Sequence, residues 1–562
     1  MKRRITTGFA CAALFLGSAA VHAQEIDHKQ ADDFAAWLVD DGQHGKAAGL
    51  YADAYKEKSR AVYAYEAATL YFAVKDYAKA AKFYQAIAGN SDFPDARRML
   101  ARAQKNMADY ETAKANFIAF NEKYVAEDSA AVRASVREEI KGIDFAIAEQ
   151  ERVDPTIFVD RFGSSMNSMK NEVSPMAIGS KTIAFLSDFD GTMRAYSSTK
   201  GRNGYSQMAP AEEMPVIEEG QISGGTLVTP DLFYFSLCPQ SQLMTQPATA
   251  KCVMHSATRR GGTWGEPKPL PGNINVEGSS AVQPFVFREG NKEIMLFASD
   301  RDGTMGGMDI WKAEREVSGE VTVFGTPKNL GSKVNGPGNE VTPFYNPETK
   351  QLSFSSDRGT VIGGYDVFQA TTKDDLKSWT AATNPGTPVN SSGDDYYYRE
   401  VVGTSRAFIS SNRSAKPGVT NLTNDELFEV SYDNKNITVN MLIVEDGNGQ
   451  ALTDATLRVS VDPDGMQLKP LIARRSLDGT FELTLPVDRD LVVNLDRPYF
   501  NDKEVTVYIP QDEADGYEVE SIRLHRAPVG PDDVAVTRSG QRNAPGQVVK
   551  RKVMTASGEV KE

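Results

Sequence analysis

The sequence NEVTPFYNPETKQLSFSSDRGTVIGGYDVFQA, at residues 339–370, predicts three consecutive β-strands. The first covers residues 341–345, and the following NPET has Asn and Pro at positions that favour a turn. Residues 351–355 alternate apolar and polar side chains, which is the pattern of a half-buried strand. Glycines then interrupt the chain before a third strand begins at Asp366. The stretch therefore predicts most of a four-stranded sheet.

Related copies of this stretch occur upstream and downstream. The copies lie at residues 171–198, 224–238, 279–313 and 394–414. Their aligned prolines are 55, 54 and 59 residues apart, at Pro175, Pro230, Pro284 and Pro343. A strand-rich unit repeated at this period is typical of a β-propeller. Five copies predict a five-bladed propeller over residues 153–435, with six blades as the alternative.

The beginning of this region predicts how the ring closes. Residues 158–175 resemble residues 327–343, so their first half is expected to be the outer strand of a blade whose other strands lie at the far end of the repeats. An N-terminal strand that completes the last blade would remove two exposed sheet edges.

The start of the chain, residues 1–23, predicts a signal peptide. Lys2, Arg3 and Arg4 precede an apolar run, and Val21-His22-Ala23 is a small-residue cleavage site. A lipoprotein acylated at Cys11 is the less favoured alternative, because this cysteine lies within the apolar run. Cleavage after Ala23 removes three positive charges and changes the net charge from −14 to −17. Such an acidic chain repels nucleic acid and anionic lipid.

The rest of the chain of 562 residues is long enough for three or four domains. No later apolar run approaches the roughly 18 residues that a transmembrane helix needs. In an exported protein the two remaining cysteines, Cys238 and Cys252, are expected to form a disulfide across a polar insertion.

Residues 24–152 predict helical repeats. KAAGLY, KAAKFY and TAKANF begin at Lys46, Lys79 and Thr112, and these starts are equally spaced along the chain. The spacing resembles that of the tetratricopeptide repeat, a helical hairpin of about 34 residues. Residues 130–150 are expected to form a capping helix. A plain helical bundle is the alternative.

Residues 436–526 predict a β-sandwich of about seven short strands. The order of strands and turns resembles carboxypeptidase regulatory-like domains. The match is carried by Gly449, Leu452, Ala455, Asp478, Gly479, Phe481 and Leu483. The polar residues 527–562, rich in Pro and Gly, predict a flexible tail, in which residues 548–553 alone are a candidate strand.

The Asp-rich turns of the blades are candidate metal sites. DFDG at 188–191 and DRDG at 300–303 resemble the start of calcium loops, but they lack the further oxygen ligands and the bidentate Glu of such loops. We expect a structural role, with no metal and no cofactor. The residues of this motif are Asp188, Gly191, Asp300, Arg301, Gly303, Asp309, Asp357, Arg358, Gly359 and Asp366.

The sequence contains no motif that predicts catalysis. Gly-x-Ser-x-Gly is absent, and the four histidines after the signal peptide are spread over three predicted domains, so a Ser-His-Asp triad is not expected. Two carboxylates suffice for a glycosidase, but no pair stands out among the 76 acidic residues. We therefore expect no catalytic residues and no enzymatic activity.

The order of the predicted parts resembles one family. A signal peptide, helical repeats, blades with Ser-Asp-Arg-x-Gly and Gly-x-Asp motifs that resemble TolB-type WD-like repeats, and a carboxypeptidase regulatory-like domain together resemble the PorE-like periplasmic proteins of the Bacteroidota type IX secretion and gliding apparatus. The resemblance covers roughly residues 30–526. Only 36 residues follow Arg526, too few for the OmpA-like domain that holds peptidoglycan in this family, and no lipobox is present. We therefore do not expect peptidoglycan anchoring.

This resemblance implies a non-catalytic periplasmic scaffold, associated with the outer membrane, whose partners are envelope or outer-membrane proteins of a secretion complex. The alternative is a propeller-based carbohydrate- or peptide-binding protein or hydrolase. A calcium-dependent adhesin is a third possibility. The expected fold class is multidomain, with tetratricopeptide-like helices, a propeller of five or six blades and a β-sandwich.

Overall fold

The computed structural model describes residues 28–40, 42–125, 128–151, 157–201, 204–217, 219–239, 251–317, 323–373, 376–414, 421–432, 436–453, 455–461, 474–475, 480–486, 490–508, 517–518, 521–526, 552–554 and 560–561. Within these ranges the chain has seven α-helices and is otherwise mostly β-sheet. The prediction of a mostly β fold that also contains helices is confirmed. The predicted signal peptide, residues 1–23, lies outside the described residues.

The helices all precede the first strand and form the helical part of the molecule. They are α1 (His28–Asp40), α2 (His44–Lys58), α3 (Ala61–Ala73), α4 (Tyr77–Ile87), α5 (Ala96–Asn106), α6 (Tyr110–Lys123) and α7 (Ser129–Glu151). Each packs against the next along the chain. Fully buried alanines such as Ala64, Ala67 and Ala80 let neighbouring helices approach closely. None of the helices in the described ranges has the length and apolarity needed to cross a membrane.

Three turns with left-handed backbone recur at the period of the helical repeats. Gly42, Lys75 and Ala108 have φ angles of 76°, 60° and 60°, and each lies between the two helices of a hairpin. Asp76 follows the second of these turns, and its side chain accepts a hydrogen bond from the Lys79 N–H at 3.2 Å, which caps α4. Equal spacing in sequence therefore gives the same turn three times.

The described strands between residues 157 and 432 form five antiparallel sheets, here called the sheet ring. The first has β2 (Glu172–Ile178), β3 (Thr182–Ser187), β4 (Arg194–Gly201), β5 (Gly204–Tyr205) and β6 (Ala209–Pro210). The second has β7 (Gln221–Thr229), β8 (Leu232–Cys238), β9 (Val253–Arg260), β10 (Thr263–Trp264) and β11 (Lys268–Pro269). The third has β12 (Ala281–Glu289), β13 (Lys292–Ser299), β14 (Asp309–Glu316) and β15 (Lys328–Asn329).

The fourth and fifth sheets complete the ring. The fourth has β16 (Glu340–Asn346), β17 (Gln351–Ser356) and β18 (Asp366–Thr371), which are the three strands predicted for residues 339–370. The fifth has β19 (Asp395–Val401), β20 (Arg406–Ser411) and β21 (Glu426–Tyr432), followed at its edge by β1 (Ile157–Arg161). The first strands of successive sheets contact one another, and β19 contacts β2 in turn. These contacts close the ring.

Each first strand has a bulge near its start, where its register with the second strand shifts. The bulges contain residues with left-handed backbone, namely Ser174 (φ 57°), Gly224 (79°), Gln283 (54°), Thr342 (51°) and Tyr397 (52°). Neighbouring strands hold these residues. The Thr342 N–H donates to Gln283 Oε1 at 3.0 Å, and the Tyr397 N–H donates to Thr342 Oγ1 at 3.2 Å. The bulges thus link adjacent sheets around the centre of the ring.

The strand β1 joins the two ends of the sheet ring. It pairs antiparallel with β21, from Ile157 opposite Tyr432 to Arg161 opposite Phe428. Arg161 also forms a bidentate ion pair with Glu426. An N-terminal strand in the last sheet is the closure that the sequence predicted.

Two sheets with a common core follow the ring. They contain β22 (Asn436–Glu445), β23 (Thr456–Val461), β24 (Arg474–Arg475), β25 (Thr480–Pro486), β26 (Asp490–Asp496), β27 (Lys503–Tyr508) and β29 (Ile522–Leu524). Met441, Leu483, Leu491 and Val493 are fully buried between them. A further small sheet has β28 (Tyr517–Glu518), β30 (Lys552–Met554) and β31 (Val560–Lys561). The last two strands lie within the predicted tail.

Candidate functional site

The helical part lies against one end of the sheet ring, where the first strands begin; this end is called the mouth. The Asn421 side chain donates to the Asn106 carbonyl at 2.6 Å. The Thr387 N–H donates to Glu149 Oε2 at 2.8 Å, and its hydroxyl donates to the Glu149 carbonyl at 3.1 Å. The last residue of α5 and the end of α7 are thus fixed to loops of the fourth and fifth sheets.

A cavity of about 1040 Å³ lies between the helical part and the mouth. The helical part contributes cationic side chains to its lining, including Lys75, Lys79, Arg102 and Lys105. The sheet ring contributes carboxylates, namely Asp188, Asp357, Asp394 and Asp425, and tyrosines, namely Tyr365, Tyr396 and Tyr397. The two walls therefore have complementary charge.

Lys75 crosses from one wall to the other. Its Nζ lies 2.6 Å from Asp425 Oδ1, 3.1 Å from Asp394 Oδ2 and 5.3 Å from the centre of the Tyr396 ring. Burial alone would lower the pKa of Lys75, but the two carboxylates outweigh it and the pKa is raised. Burial raises the pKa of Asp425 despite the nearby ammonium. Lys75 therefore stays charged in the cavity.

A second charged cluster lies on the helical wall. Glu139 Oε1 accepts from Arg102 Nε at 3.0 Å, and Oε2 accepts from Lys105 Nζ at 2.8 Å. Burial alone would raise the pKa of Glu139, but Lys105 and Arg102 lower it to about 2. Arg102 also interacts with Asp357 of the opposite wall.

Two buried acceptor atoms beside the cavity receive no hydrogen bond from the described residues. They are His44 Nδ1 and Asn106 Oδ1, on side chains that are 7% and 5% exposed. Burial lowers the pKa of His44, which favours the neutral ring, and Nε2 lies 3.1 Å from the Val39 carbonyl. With the proton on Nε2, Nδ1 is left as an acceptor. Each atom exposes almost no surface, so a ligand in the cavity reaches it only when a neighbouring side chain moves.

Tyr397 limits the cavity towards the centre of the ring. A Cβ atom on Gly224 would lie 3.1 Å from Tyr397 Cε1, so the ring of this tyrosine is packed against the second sheet. Arg399 crosses in the same direction, and its Nη2 donates to the Gly225 carbonyl at 3.1 Å. Side chains of the fifth sheet therefore fill the middle of the ring.

The predicted motif residues brace the loops of the sheet ring. Asp188 accepts from the Asn171 N–H at 2.7 Å, and Asp357 accepts from the Asn339 N–H at 2.7 Å. Both aspartates also line the cavity. Asp300 accepts from the Ser280 N–H at 2.6 Å.

The carboxylates at the start of the third strands have a similar role. Asp309 accepts from the Met305 N–H at 2.9 Å, and Asp366 accepts from the Ile362 N–H at 2.7 Å. Arg301 donates to the carbonyls of Asn273 and Ile274. Arg358 donates to the Val334 carbonyl at 2.6 Å. The glycines of the motif, Gly191, Gly303 and Gly359, all have positive φ.

Cys238 and Cys252 form a disulfide, with an S–S distance of 1.96 Å. It joins the end of β8 to the residue before β9. Across the described ranges, no group of three or more His, Cys, Asp or Glu side chains is arranged to hold a metal ion.

Sequence reasoning missed the residues that line the cavity from the helical part and from the fifth sheet. Lys75 is at the position in the repeat that is Gly42 in the first copy and Ala108 in the third, so only the second copy has a long cationic side chain there. Asp394 takes the position that is Asn in Asn171 and Asn339. These two differences from the repeat pattern are the features of the sequence that could have identified the cavity residues.

No protein-family model matches the sequence, and a search of curated proteins finds no match. Among solved structures, the chain is similar to an α-L-arabinofuranosidase from Podospora anserina in complex with cellotriose, with 11% identity, a TM-score of 0.32, and 50% of this chain and 96% of that chain covered. It is also similar to an endo-arabinase from Bacteroides thetaiotaomicron, with 16% identity, a TM-score of 0.31 and coverages of 49% and 98%. It is similar as well to an α-L-arabinofuranosidase from Lactobacillus brevis, with 13% identity, a TM-score of 0.33, and 51% of this chain and 95% of that chain covered.

These neighbours contradict three predictions, which are not retained: the non-catalytic scaffold, the absence of enzymatic activity and the role in type IX secretion. All three structures are of glycosidases. Module order was the basis of the wrong predictions, and one architecture can serve many functions. At these identities and TM-scores, no substrate or residue role is transferred. The resemblance to PorE-like proteins stays a prediction.

Proposed function

We propose that the sheet ring is a five-bladed β-propeller, that the helices are tetratricopeptide-like repeats and that residues 436–526 are a β-sandwich. The ring of first strands and the pairing of β1 with β21 support the propeller. The left-handed turns at Gly42, Lys75 and Ala108 support the helical repeat. The common core of the two C-terminal sheets supports the sandwich.

We propose that this protein binds a carbohydrate in the cavity between the helical part and the mouth. The observation that carries the proposal is the cavity of about 1040 Å³ with its mixed polar lining. Small-molecule sites typically have volumes of about 300–1,000 Å³. Sugar hydroxyls both donate and accept hydrogen bonds. The carboxylates, the cations and the two unpaired acceptors at His44 and Asn106 provide partners of both kinds.

Binding of the purified chain to a glycan array, followed by calorimetry with the best ligand, tests this proposal. We expect Asn106→Ala to weaken binding about tenfold, which corresponds to the loss of one hydrogen bond of about 1–1.5 kcal/mol. Asn291→Ala is the matched control, because Asn291 is exposed in the turn between β12 and β13 and bonded to Glu316. Absence of any bound glycan would refute the proposal, as would equal affinities for the two variants.

Hydrolysis of a glycosidic bond is a second candidate, which the geometry of Asp394 and Asp425 favours. Both contact the Lys75 ammonium, at 3.1 and 2.6 Å, so the distance between the two oxygens cannot exceed the sum of these contacts. Retaining glycosidases place their two carboxyl groups about 5–5.5 Å apart. Once a substrate displaces Lys75, Asp425, whose pKa burial raises, would be the general acid, and Asp394 would be the nucleophile.

Release of reducing ends from a polysaccharide panel measures this activity. We expect Asp394→Asn and Asp425→Asn each to remove it. Activity that survives in both variants would exclude this pair as the catalytic carboxylates, and inactivity of the wild type on the whole panel would leave binding as the function.

We also propose that the protein acts in the periplasm. The signal peptide predicted at residues 1–23 and the disulfide between Cys238 and Cys252 support this compartment, since disulfides persist in oxidising surroundings. Fractionation of the source cells followed by immunodetection tests it, and recovery of the protein from the cytosol alone would refute it.

A further inference from the structure

Lys75 reaches the mouth from an unusual backbone position. Its φ of 60° is one that residues other than glycine rarely adopt. The equivalent turns place Gly42 and Ala108 at this position. A long cationic side chain therefore enters the mouth at the middle turn and not at the corresponding position of the other two.

The groups that receive the ammonium are held by the sheet ring. Asp394 Oδ1 accepts from the Tyr365 N–H at 3.1 Å, while its Oδ2 faces Lys75. The backbone N–H of Asp394 donates to Asn412 Oδ1 at 2.7 Å, and that of Asp425 donates to Asn171 Oδ1 at 3.0 Å. These contacts lie within the sheet ring and hold one carboxylate oxygen of Asp394 and the backbone of Asp425. The Asp394 carboxylate also forms a hydrogen bond with the side chain of Tyr77 in α4.

An aromatic ring completes the arrangement. Tyr396 lies with its ring centre 5.3 Å from Lys75 Nζ, within the range of a cation–π interaction. Tyr365 packs against Tyr396, with their ring centres 4.9 Å apart, and so supports its orientation. Two carboxylates and an aromatic face are the groups expected around a bound primary amine.

A second observation independently indicates a donor-bearing ligand here. A Cβ atom on Gly364 would lie 2.1 Å from Asp394 Oδ1 and 3.3 Å from Asn106 Oδ1, so these two oxygens are close neighbours. Asn106 Oδ1 is the buried acceptor that no described residue satisfies. An ammonium group has three N–H donors, and Lys75 uses two of them on the aspartates. An unused acceptor thus lies beside an amine-binding pair of carboxylates.

We propose that Asp394, Asp425 and Tyr396 form a receptor for a primary ammonium group, which Lys75 occupies within the same chain and which an amine-bearing ligand fills when it displaces Lys75. The ligand chemistry is a primary amine, as in a lysine side chain of another polypeptide or in an amino sugar. This receptor does not depend on the proposed carbohydrate function.

Chemical rescue of the full-length Lys75→Ala variant tests the receptor. We expect its melting temperature to fall below that of the wild type and to rise in millimolar n-butylammonium at pH 7. The neutral analogue n-butanol at the same concentration should have no such effect, because it lacks the charge. Equal melting temperatures in the amine and the alcohol would overturn the proposal.

Lys79→Ala is the matched control. Lys79 follows the same turn, but its ammonium pairs with a single partly exposed carboxylate, Asp76, at 2.7 Å. An equal rise with butylammonium in this variant would overturn the proposal. The melting temperature of Lys75→Met, which keeps an unbranched side chain without the charge, is also compared in n-butylammonium and n-butanol. If neither Lys75 variant folds alone, the yield of refolding is the readout, and equal yields in amine and alcohol would again refute the receptor.

Two further ligands distinguish the sources of the amine. The Lys75→Ala variant is titrated with Nα-acetyl-lysine amide and with glucosamine, each against its neutral counterpart, Nα-acetyl-norleucine amide and N-acetylglucosamine. A Kd at least threefold lower for the lysine derivative than for its counterpart assigns the site to a polypeptide, and the same preference for glucosamine assigns it to an amino sugar. No preference in either pair would overturn the proposal.

Discussion

At the scale of single residues, the hydrogen bonds of a turn outweigh local backbone preference. Left-handed backbone costs a residue other than glycine about 1–2 kcal/mol, and Lys75 adopts it with a φ of 60°. The turn itself supplies hydrogen bonds, from the Lys75 N–H to the Phe72 carbonyl and from the Asp76 N–H to the Tyr71 carbonyl. Ala108, with the same φ and no charge, has the equivalent bonds to the carbonyls of Lys105 and Gln104, so the ion pairs of Lys75 are not needed for this backbone.

The buried carboxylate of Glu139 should make stability depend on acid. Its pKa of about 2 lies below the ordinary value of 4.5, so the stabilisation is complete above about pH 4.5 and is lost as the pH falls towards 2. We expect Glu139→Gln to lower the free energy of unfolding at pH 7 by about 3 kcal/mol or more, since Lys105 is left buried without its partner. The variant should also lose less stability than the wild type between pH 5 and pH 3.

Urea titrations at several pH values measure both effects. Glu138→Gln is the control, because Glu138 pairs at 2.7 Å with the exposed Lys141 and surface pairs contribute little. Identical pH profiles for wild type and Glu139→Gln would contradict the assignment of this acid dependence to Glu139.

At the scale of elements, paired glycines explain part of the repeated motif. A Cβ atom on Gly363 would lie 2.0 Å from the Gly393 carbonyl oxygen, and one on Gly306 would lie 2.4 Å from the Gly338 carbonyl oxygen. In both sheets the loop before the third strand crosses the backbone that enters the next sheet. The glycines permit this contact because they have no side chain.

We expect Gly363→Ala to destabilise the protein by at least about 2 kcal/mol, because backbone atoms must move to admit the methyl group. Gly49→Ala is the control, since a Cβ atom at this position of α2 meets nothing within 4 Å. It should be stabilising by about 0.5–1 kcal/mol. Thermal melts of the two variants distinguish these effects, and equal melting temperatures would show that the contact at Gly363 is tolerated.

The sequence predicted these sheets because their signals are local and repeated. Residues 341–345, 351–355 and 366–369 were predicted as strands, and they lie within Glu340–Asn346, Gln351–Ser356 and Asp366–Thr371. The bulges were not predicted. Their left-handed residues are as different as Ser174, Gln283 and Tyr397, so side-chain type does not identify them.

At the scale of the whole molecule, the seam between β1 and β21 determines whether the ring is closed. Val159 lies in the middle of β1, opposite Val430, and is 4% exposed. We expect Val159→Asp to lower the free energy of unfolding by several kcal/mol, because it buries a charge without a partner. Val402→Asp, at a position that is 44% exposed in the turn between β19 and β20, should have little effect. Urea unfolding followed by tryptophan emission compares them.

Contacts between the helical part and the sheet ring could not be predicted. Lys75 and Asp425 are 350 residues apart, and each belongs to a segment whose own pattern is complete without the other. Periodicity identifies the buried face of a helix or strand. It contains no information on which surface of one part lies against another, so the cavity and its charged lining emerge only from the folded chain.

The register of β1 on β21 also determines how the molecule responds to mechanical tension. Ile157, where the chain enters the ring from the helices, is directly opposite Tyr432, where the chain leaves towards the C-terminal sheets. A pull applied at Ile157 and Tyr432 therefore acts on the same end of one antiparallel pair. The hydrogen bonds of the seam are then loaded one after another, and not all together as in a sheared pair. The ring should consequently unzip at small forces from this seam, before any of its other sheets is disturbed.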